Sequence, residues 1–268
     1  MKLPTHVRHV RETGSTNHDL LALLREGTPS ITAILTDHQT AGRGRLGRRW
    51  HDDDMAESSP AAGLTPQAMM GSISFRWDEG HAGLPLVPFA AGLATLDLVV
   101  SVLGSESGVG LGWPNDVIVQ RDDRWRKLAG ILVESVPLPE PPTLGVVVGV
   151  GLNLWPVVRS DPEVRSRAIS VAELFGDNET GRSVVSNVVA FGRLLTALEV
   201  RLSDLRTDPR SLMSAYRASC VTLGQRVEFQ TSDGPATGVA RDVVDTGEIL
   251  VETSAGSVAV SVGDVQPL

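Results

Sequence analysis

The sequence predicts an α/β protein: a large domain that mixes helices and strands, followed by a small all-β domain. Two observations carry this. Thr143 to Val150 is an almost unbroken Val and Gly run, with long apolar helical segments before and after it. Such a run is the pattern of a central strand covered on both faces. After Cys220 the chain turns to short β-prone segments, punctuated by Gly234, Gly247 and Gly256. That is the pattern of a small barrel or sandwich. At 268 residues the chain holds one large domain and one small one. The expected division is 1–221 and 222–268.

Taken in order, Thr16-Asn17-His18-Asp19 reads as a capping box opening a short helix with Leu20, Leu21, Leu23 and Leu24. Ile31 to Thr36 reads as a strand, followed by a loop rich in arginine and glycine. Asp52 to Thr65 is polar, acidic and rich in small residues, and is expected to be a mobile extension of that loop. Gly71 to Trp77 alternates, with Ile73, Phe75 and Trp77 on one face. Pro88 to Leu103 is a long apolar helix, buried over much of its circumference. Three strands are expected next: Val117 to Val119, Leu128 to Val136 after the turn Arg121-Asp122-Asp123-Arg124, and Thr143 to Val150. Ser170 with Glu173 opens a helix reaching Phe175. Ser183 to Leu205 is a long amphipathic helix and Pro209 to Ser219 a shorter one. The tail offers strands at Arg226 to Gln230, Thr237 to Asp242, Ile249 to Thr253 and Ser257 to Val262.

Composition excludes several classes. The chain has 24 basic and 32 acidic residues, a formal charge of −8, and so lacks the basic surplus of a general nucleic-acid binder. Cys220 is the only cysteine, so neither an intrachain disulfide nor a cysteine-cluster zinc site can form. The first residues contain no apolar core of a secretory signal, and no uncharged apolar run is long enough to span a bilayer. The expected compartment is the cytoplasm.

Against this acidic background stands Gly42-Arg43-Gly44-Arg45-Leu46-Gly47-Arg48-Arg49-Trp50, with three glycines and four arginines in nine residues. Glycine lets backbone N–H groups approach a ligand. Arginine brings a permanent charge and a planar donor fork suited to carboxylate and phosphate. Gly42-x-Gly44-x-x-Gly47 matches the dinucleotide fingerprint in form, but the residues after it offer no apolar helix face. It also fails as a P-loop, because Arg48 and Arg49 stand where Lys and Ser/Thr are required. A solvated basic loop is the bland alternative. Ordering such a glycine-rich segment without a ligand is costly.

Three more stretches carry polar groups in apolar settings. Trp113-Pro114-Asn115-Asp116 precedes a strand, with Pro114 fixing an extended approach. Asp116 reads equally as a turn acid or a functional carboxylate. Lys127 heads the otherwise apolar Leu128-Ala129-Gly130-Ile131-Leu132; it can hold its ammonium over a pocket, or be a rim lysine of a hairpin. Gly130 would let a ligand lie flat on the strand. Gly149-Val150-Gly151-Leu152-Asn153 ends the apolar run as a glycine-rich turn or a ligand contact. Gly14-Ser15-Thr16-Asn17 is a helix N-terminus, whose free N–H groups also suit an anion or a polar ring.

Together these stretches resemble the biotin protein ligases, which attach biotin to carboxylase carrier domains. The match rests on Ser15-Thr16-Asn17, on Gln39-Thr40-Ala41-Gly42-Arg43-Gly44-Arg45-x-Gly47-Arg48-x-Trp50, on Trp113-Pro114-Asn115-Asp116, on Lys127 to Leu132 and on Gly149-x-Gly151-x-Asn153. They fall in the family's order and cover roughly Thr13 to Leu154. The resemblance implies a mixed-sheet catalytic domain related to class II aminoacyl-tRNA synthetases, with a C-terminal Src-homology-3-like barrel. It implies contacts to biotin or its adenylate from Ser15, Thr16, Asn17, Gln39, Gly42, Arg43, Gly44, Arg45, Arg48, Trp50, Asn115, Lys127, Gly130 and Asn153. Lys127 and Arg45 are the expected catalytic cations and Asp116 the candidate metal ligand. ATP and Mg²⁺ are the implied co-substrate and metal, with no tightly bound prosthetic group. The partner implied is a biotin carboxyl carrier domain of acetyl-CoA carboxylase or a related carboxylase, met by a monomer or homodimer, without nucleic acid or membrane.

The chain departs from the family in two places. Gly112 stands where a basic residue usually precedes Trp-Pro-Asn-Asp, and the Asp52 to Thr65 stretch is longer and more acidic than the pattern. Three alternatives stay open. One is a lipoate-type acyl ligase of the same superfamily, against which the Gly-Arg-Gly-Arg-x-Gly-Arg-x-Trp element speaks. Another is a biotin-binding paralogue weakened at Gly112. The third is a nucleic-acid-binding regulator, opposed by the net charge and by the few residues, Met1 to Thr13, before the Ser-Thr-Asn turn, too few for a helix-turn-helix.

Overall fold

The computed structural model describes residues 6–27, 32–48, 50, 66–78, 83–104, 108–122, 124–139, 143–156, 167–175, 184–231, 234–261 and 265–267. The acidic stretch Asp52 to Thr65 and Arg49 lie outside them. Seven strands form the main sheet: β1 (Val7–Thr13), β2 (Ala33–Gln39), β3 (Ala68–Trp77), β4 (Val109–Gly112), β5 (Asp116–Arg121), β6 (Arg124–Pro137) and β7 (Leu144–Asn153). Their order is β1-β2-β3-β7-β6-β5-β4; β1 and β2 run parallel and every other pair antiparallel, so the sheet is mixed.

The Val and Gly run is the middle strand, and its residues divide by parity. Val146, Val148, Val150 and Leu152 face the large core. There they meet α2 (Val87–Leu103) and α4 (Asn187–Thr207), both packed on that face. Val147 belongs to a second cluster on the other face, with Leu20 and Leu21 of α1 (Thr16–Arg25). Gly145, Gly149 and Gly151 share that second face, where side chains press close to the backbone. An apparently uniform run thus sets large residues on the core face against mostly glycine on the other.

Helix α2 with its preceding turn, Leu84–Leu103, is long and apolar enough to cross a membrane, yet 67% of its most apolar stretch is buried within the fold, as in a core helix. Its one charged residue, Asp97, takes a bidentate pair from Arg201 of α4 at 2.8 and 2.9 Å. Helices α3 (Val171–Phe175) and α5 (Pro209–Ser219) complete the helical layer. The capping box expected at Ser170 forms, with the Ser170 N–H donating to Glu173 Oε2 at 2.8 Å.

The C-terminal sheet is five-stranded and antiparallel: β8 (Arg226–Thr231), β9 (Gly234–Val243), β10 (Ile249–Thr253), β11 (Gly256–Val260) and β12 (Val265–Pro267), in the order β11-β10-β9-β8-β12. It is docked, not tethered. The Trp113 indole N–H donates to Gly247 O at 3.0 Å, and the Trp113 backbone N–H to Thr222 Oγ1 at 3.0 Å. Its buried residues belong to the same apolar cluster as the large core.

Three local expectations are corrected. Helix α1 starts one residue earlier than the capping box implied: Ser15 has the extended N-cap backbone and Thr16 is already helical. Asp19 accepts instead from the Thr13 hydroxyl at 2.6 Å, while the Thr16 hydroxyl turns inward. Lys127 does not head its strand, because β6 begins at Arg124. Val117 pairs with Ala129 but Ile118 with Lys127, which leaves Leu128 as the extra residue of a bulge. Bulges re-aim side chains beside sites. Finally, β1, β4 and β12 are strands that the sequence pattern does not announce.

Candidate active site

The site lies on the α1 face of the sheet, beyond the end of that helix. The register places Ser72, Gly149 and Leu132 in one row across β3, β7 and β6, and Gly151 beside Gly130 in the next. A Cβ at Gly149 would sit 2.1 Å from Asn17 Oδ1, so only glycine lets the α1 N-terminus come down onto β7. At Gly151 a Cβ would lie 2.5 Å from the Trp50 ring, and at Gly130 2.8 Å from it. The hollow expected above Gly130 is therefore filled in this state by the Trp50 indole and the Lys127 stem.

One end of the pocket is buried and polar. Ser15, Thr16, Asn17, Gln39 and Ser72 are all buried. The Thr16 N–H donates to Gln39 Oε1 at 2.9 Å. The Asn17 amide nitrogen donates to Glu134 Oε2 at 2.9 Å and to Leu132 O at 3.3 Å. Its oxygen is then the acceptor for Ser72 Oγ at 2.6 Å. Since Ser72 spends its single proton there, the Thr16 hydroxyl donates to Ser72 at 2.6 Å.

The other end is cationic. The arginine-glycine loop closes on itself: the Trp50 N–H donates to Gly42 O at 3.0 Å and the Gly44 N–H to Arg48 O at 2.7 Å. This lays Arg43 against Glu134 at 2.9 Å and Arg45 against Asn115 Oδ1 at 3.2 Å. Asn115 is itself held, its amide donating to Ile131 O at 2.7 Å. Lys127 Nζ lies 2.7 Å from Asp116 Oδ1 and 5.7 Å from the centre of the Trp50 ring. Three cations thus meet two carboxylates, and Arg45 is the one facing a neutral amide.

Eleven of the fifteen residues expected to bind, catalyse or hold metal line the pocket: Ser15, Thr16, Asn17, Gln39, Arg43, Gly44, Arg45, Trp50, Asn115, Lys127 and Gly130. Four do not. Gly42 is packed under Trp50, and Arg48 is exposed. Asn153 is buried and donates to Ile169 O at 2.9 Å and Lys127 O at 3.3 Å, so it braces the β6 backbone behind Lys127. Asp116 pairs with Lys127. Ser72 and Glu134 were missed, although both sit in the hydrogen-bonded chain that links the floor to the loop. Their signal was faint: one of two serines in β3 and the one acid in β6, each inside a largely apolar stretch.

The cavity measures about 60 Å³. Ligand pockets usually measure a few hundred. A ligand larger than a few waters must therefore displace the indole or lift the loop.

A family model described as the biotin protein ligase C terminal domain matches residues 222–266. Over 263 residues the chain is 36% identical to a biotin--[acetyl-CoA-carboxylase] ligase of Mycobacterium tuberculosis, covering 96% of this chain and 86% of the other. The chain belongs to the biotin protein ligase family. A biotin--[acetyl-CoA-carboxylase] ligase of Paracoccus denitrificans is 27% identical over 261 residues, 94% of this chain and 97% of that one. The solved structure of the Aquifex aeolicus biotin protein ligase in complex with biotin and ATP shares the fold, with a TM-score of 0.74 over 98% of both chains at 20% identity. Family membership fits the lone Cys220, which is buried and whose thiol is pushed up by that burial, so it is no nucleophile at neutral pH.

Proposed function

We propose that this chain activates biotin with ATP and transfers it to a lysine of a carboxylase carrier domain. One observation carries the reading: a buried hydrogen-bonding end, Ser15 to Asn17 with Gln39, faces a cationic end at Arg45 and Lys127 across one pocket. Biotin is a small acid with a ureido ring at one end and a carboxylate at the other. The ring suits the hydroxyls and amides, and the carboxylate suits Arg45. A lipoate-type acid brings a dithiolane with no comparable donors or acceptors. It would leave buried polar groups unpaired, which sites of this kind reject strongly.

In the first step a carboxylate oxygen attacks the α-phosphorus of ATP and pyrophosphate leaves. Negative charge builds on the phosphoryl oxygens, and fixed cations there stabilise the transition state more than water does. Lys127 is placed for this, at the cost of leaving Asp116. In the second step the acceptor amine attacks the acyl carbon and AMP leaves. Holding the anhydride under the arginine loop limits its hydrolysis. Mg²⁺ enters on the ATP phosphates and needs few protein ligands. Among the described residues no group of three or more His, Cys, Asp or Glu could hold a metal alone. Asp116 is the carboxylate that would contribute, and the ion would neutralise phosphate charge.

Gly112 of β4 pairs with Asp116 of β5, and a Cβ at Gly112 would lie 3.1 Å from Ile118. That position contributes no charge, so the phosphate side is left to Lys127. We assign 1–221 the adenylation and 222–268 a supporting domain, with the reaction in the cytoplasm. The test is biotin-dependent release of pyrophosphate from MgATP. Release with lipoate but not biotin would reverse the choice of acid.

A further inference from the structure

A second cavity, of about 460 Å³, lies beside the first and shares Arg45, Asn115 and Ile131 with it. Phe89 and Val133 give it apolar walls, and the turn between β9 and β10 brings Thr246 and Glu248 to its mouth. Lys127 lines the first cavity and not this one. The reaction pocket thus has two sides: a phosphate side at Lys127, and a second opening past Arg45 and Asn115.

We propose that the second cavity is the passage by which the acceptor lysine reaches the activated carboxyl group. This rests on the ligase reading above. The chemistry of the walls selects the occupant. A lysine buries a four-carbon stem along apolar surface while its charge is drawn by an acid. Glu248 is that acid: the Thr246 hydroxyl donates to it and holds its carboxyl below the usual range, so it is charged at neutral pH. Arg45 is the only other charged residue in the lining, among the described residues. A triphosphate would meet one cation and one acid there, whereas a lysine with apolar neighbours finds complementary walls and an attracting carboxylate. At the junction the lysine arrives as its neutral amine. The C–N bond forms as the acyl C–O bond breaks; AMP takes the electron pair, and the protons pass to solvent.

The experiment uses the full chain and two variants at the mouth, Thr246→Trp to narrow it and Glu248→Lys to reverse its charge. Thr246 is exposed and Glu248 half-buried, so the fold should survive both. Three rates are read: biotin-dependent pyrophosphate release, capture of the adenylate by hydroxylamine, and transfer to a carboxylase carrier domain. The first two should stay within about twofold, because neither ATP nor a small nucleophile needs the passage. Carrier transfer should fall about tenfold in Thr246→Trp, and the carrier KM should rise in Glu248→Lys. Unchanged carrier transfer in both variants would overturn the proposal. So would an equal loss in pyrophosphate release, which would mean that the cavity holds the nucleotide. A wild-type chain that releases no pyrophosphate would instead overturn the ligase reading, and this proposal with it.

Discussion

Gly149→Ala puts a methyl group where the Asn17 amide now rests, 2.1 Å from its oxygen. Real Cβ contacts essentially never fall below 3.0 Å, so the amide must retreat by roughly 1 Å. A shift of that size takes hydrogen bonds of 2.6 and 2.9 Å, to Ser72 and Glu134, outside bonding range. The bond to the carboxylate is worth about 1.5–3 kcal/mol and the neutral one about 0.5–1.5 kcal/mol. Part of that loss is recovered by relaxation, leaving about 3 kcal/mol against the ordered pocket. At 1.4 kcal/mol per decade, the Kd for biotin should rise by about 10²-fold. Titration calorimetry reads the affinity and urea unfolding reads the stability. Gly192→Ala is the control, since a Cβ there meets nothing within 4 Å; that variant should bind normally and gain up to about 1 kcal/mol from helix propensity. A folded Gly149→Ala protein with wild-type affinity would refute the reasoning, because Asn17 would then not organise the binding end.

Lys127→Ala should slow pyrophosphate release by about 10²-fold, the scale of one oxyanion-type donor, while biotin affinity changes little; an unchanged release rate would remove Lys127 from the mechanism. Arg45→Gly should keep the fold but let the adenylate escape, so that mass spectrometry finds biotin on lysines of bystander proteins; strict labelling of the carrier would contradict this. Tyr216, the only tyrosine, is fully buried and its phenol is pushed well above the ordinary value of 10.0 by desolvation first, as the Cys220 thiol is above 9.0. The folded state keeps protons that the unfolded state releases, so this stabilisation is intact below about pH 9 and is lost as the pH rises beyond it. Urea midpoints should fall across that range, and phenolate absorbance should appear only as the protein unfolds; reversible ionisation near pH 10 without unfolding would contradict the burial.

The polar and cationic ends of the site were legible because each motif is a local run: Ser15-Thr16-Asn17, the arginine-glycine loop, and Asn115 with Lys127. What joins them was not. Glu134 binds Arg43 on one side and Asn17 on the other, yet these three residues are far apart in the chain and nothing near Glu134 marks it. The glycines at the end of β7 also read as a turn, because glycine is a common turn residue. Their meaning lies in parity, with Gly149 and Gly151 on one face so that Asn17 and Trp50 can approach. Strand β1 escaped for a related reason. It is an edge strand exposed on most of its residues, with Arg8, His9 and Arg11 among them, so burial imposes no alternation on it. Lys127 sits inside β6 and not at its head because the bulge at Leu128 supplies the re-aiming that a strand end would have given.

The central claim is tested most directly by incubating the purified chain with biotin, MgATP and a carboxylase carrier domain, and reading the carrier by intact mass. The account predicts one biotin added to one lysine, with no addition when ATP is omitted. A carrier of unchanged mass, when a known ligase labels the same preparation fully, would contradict it.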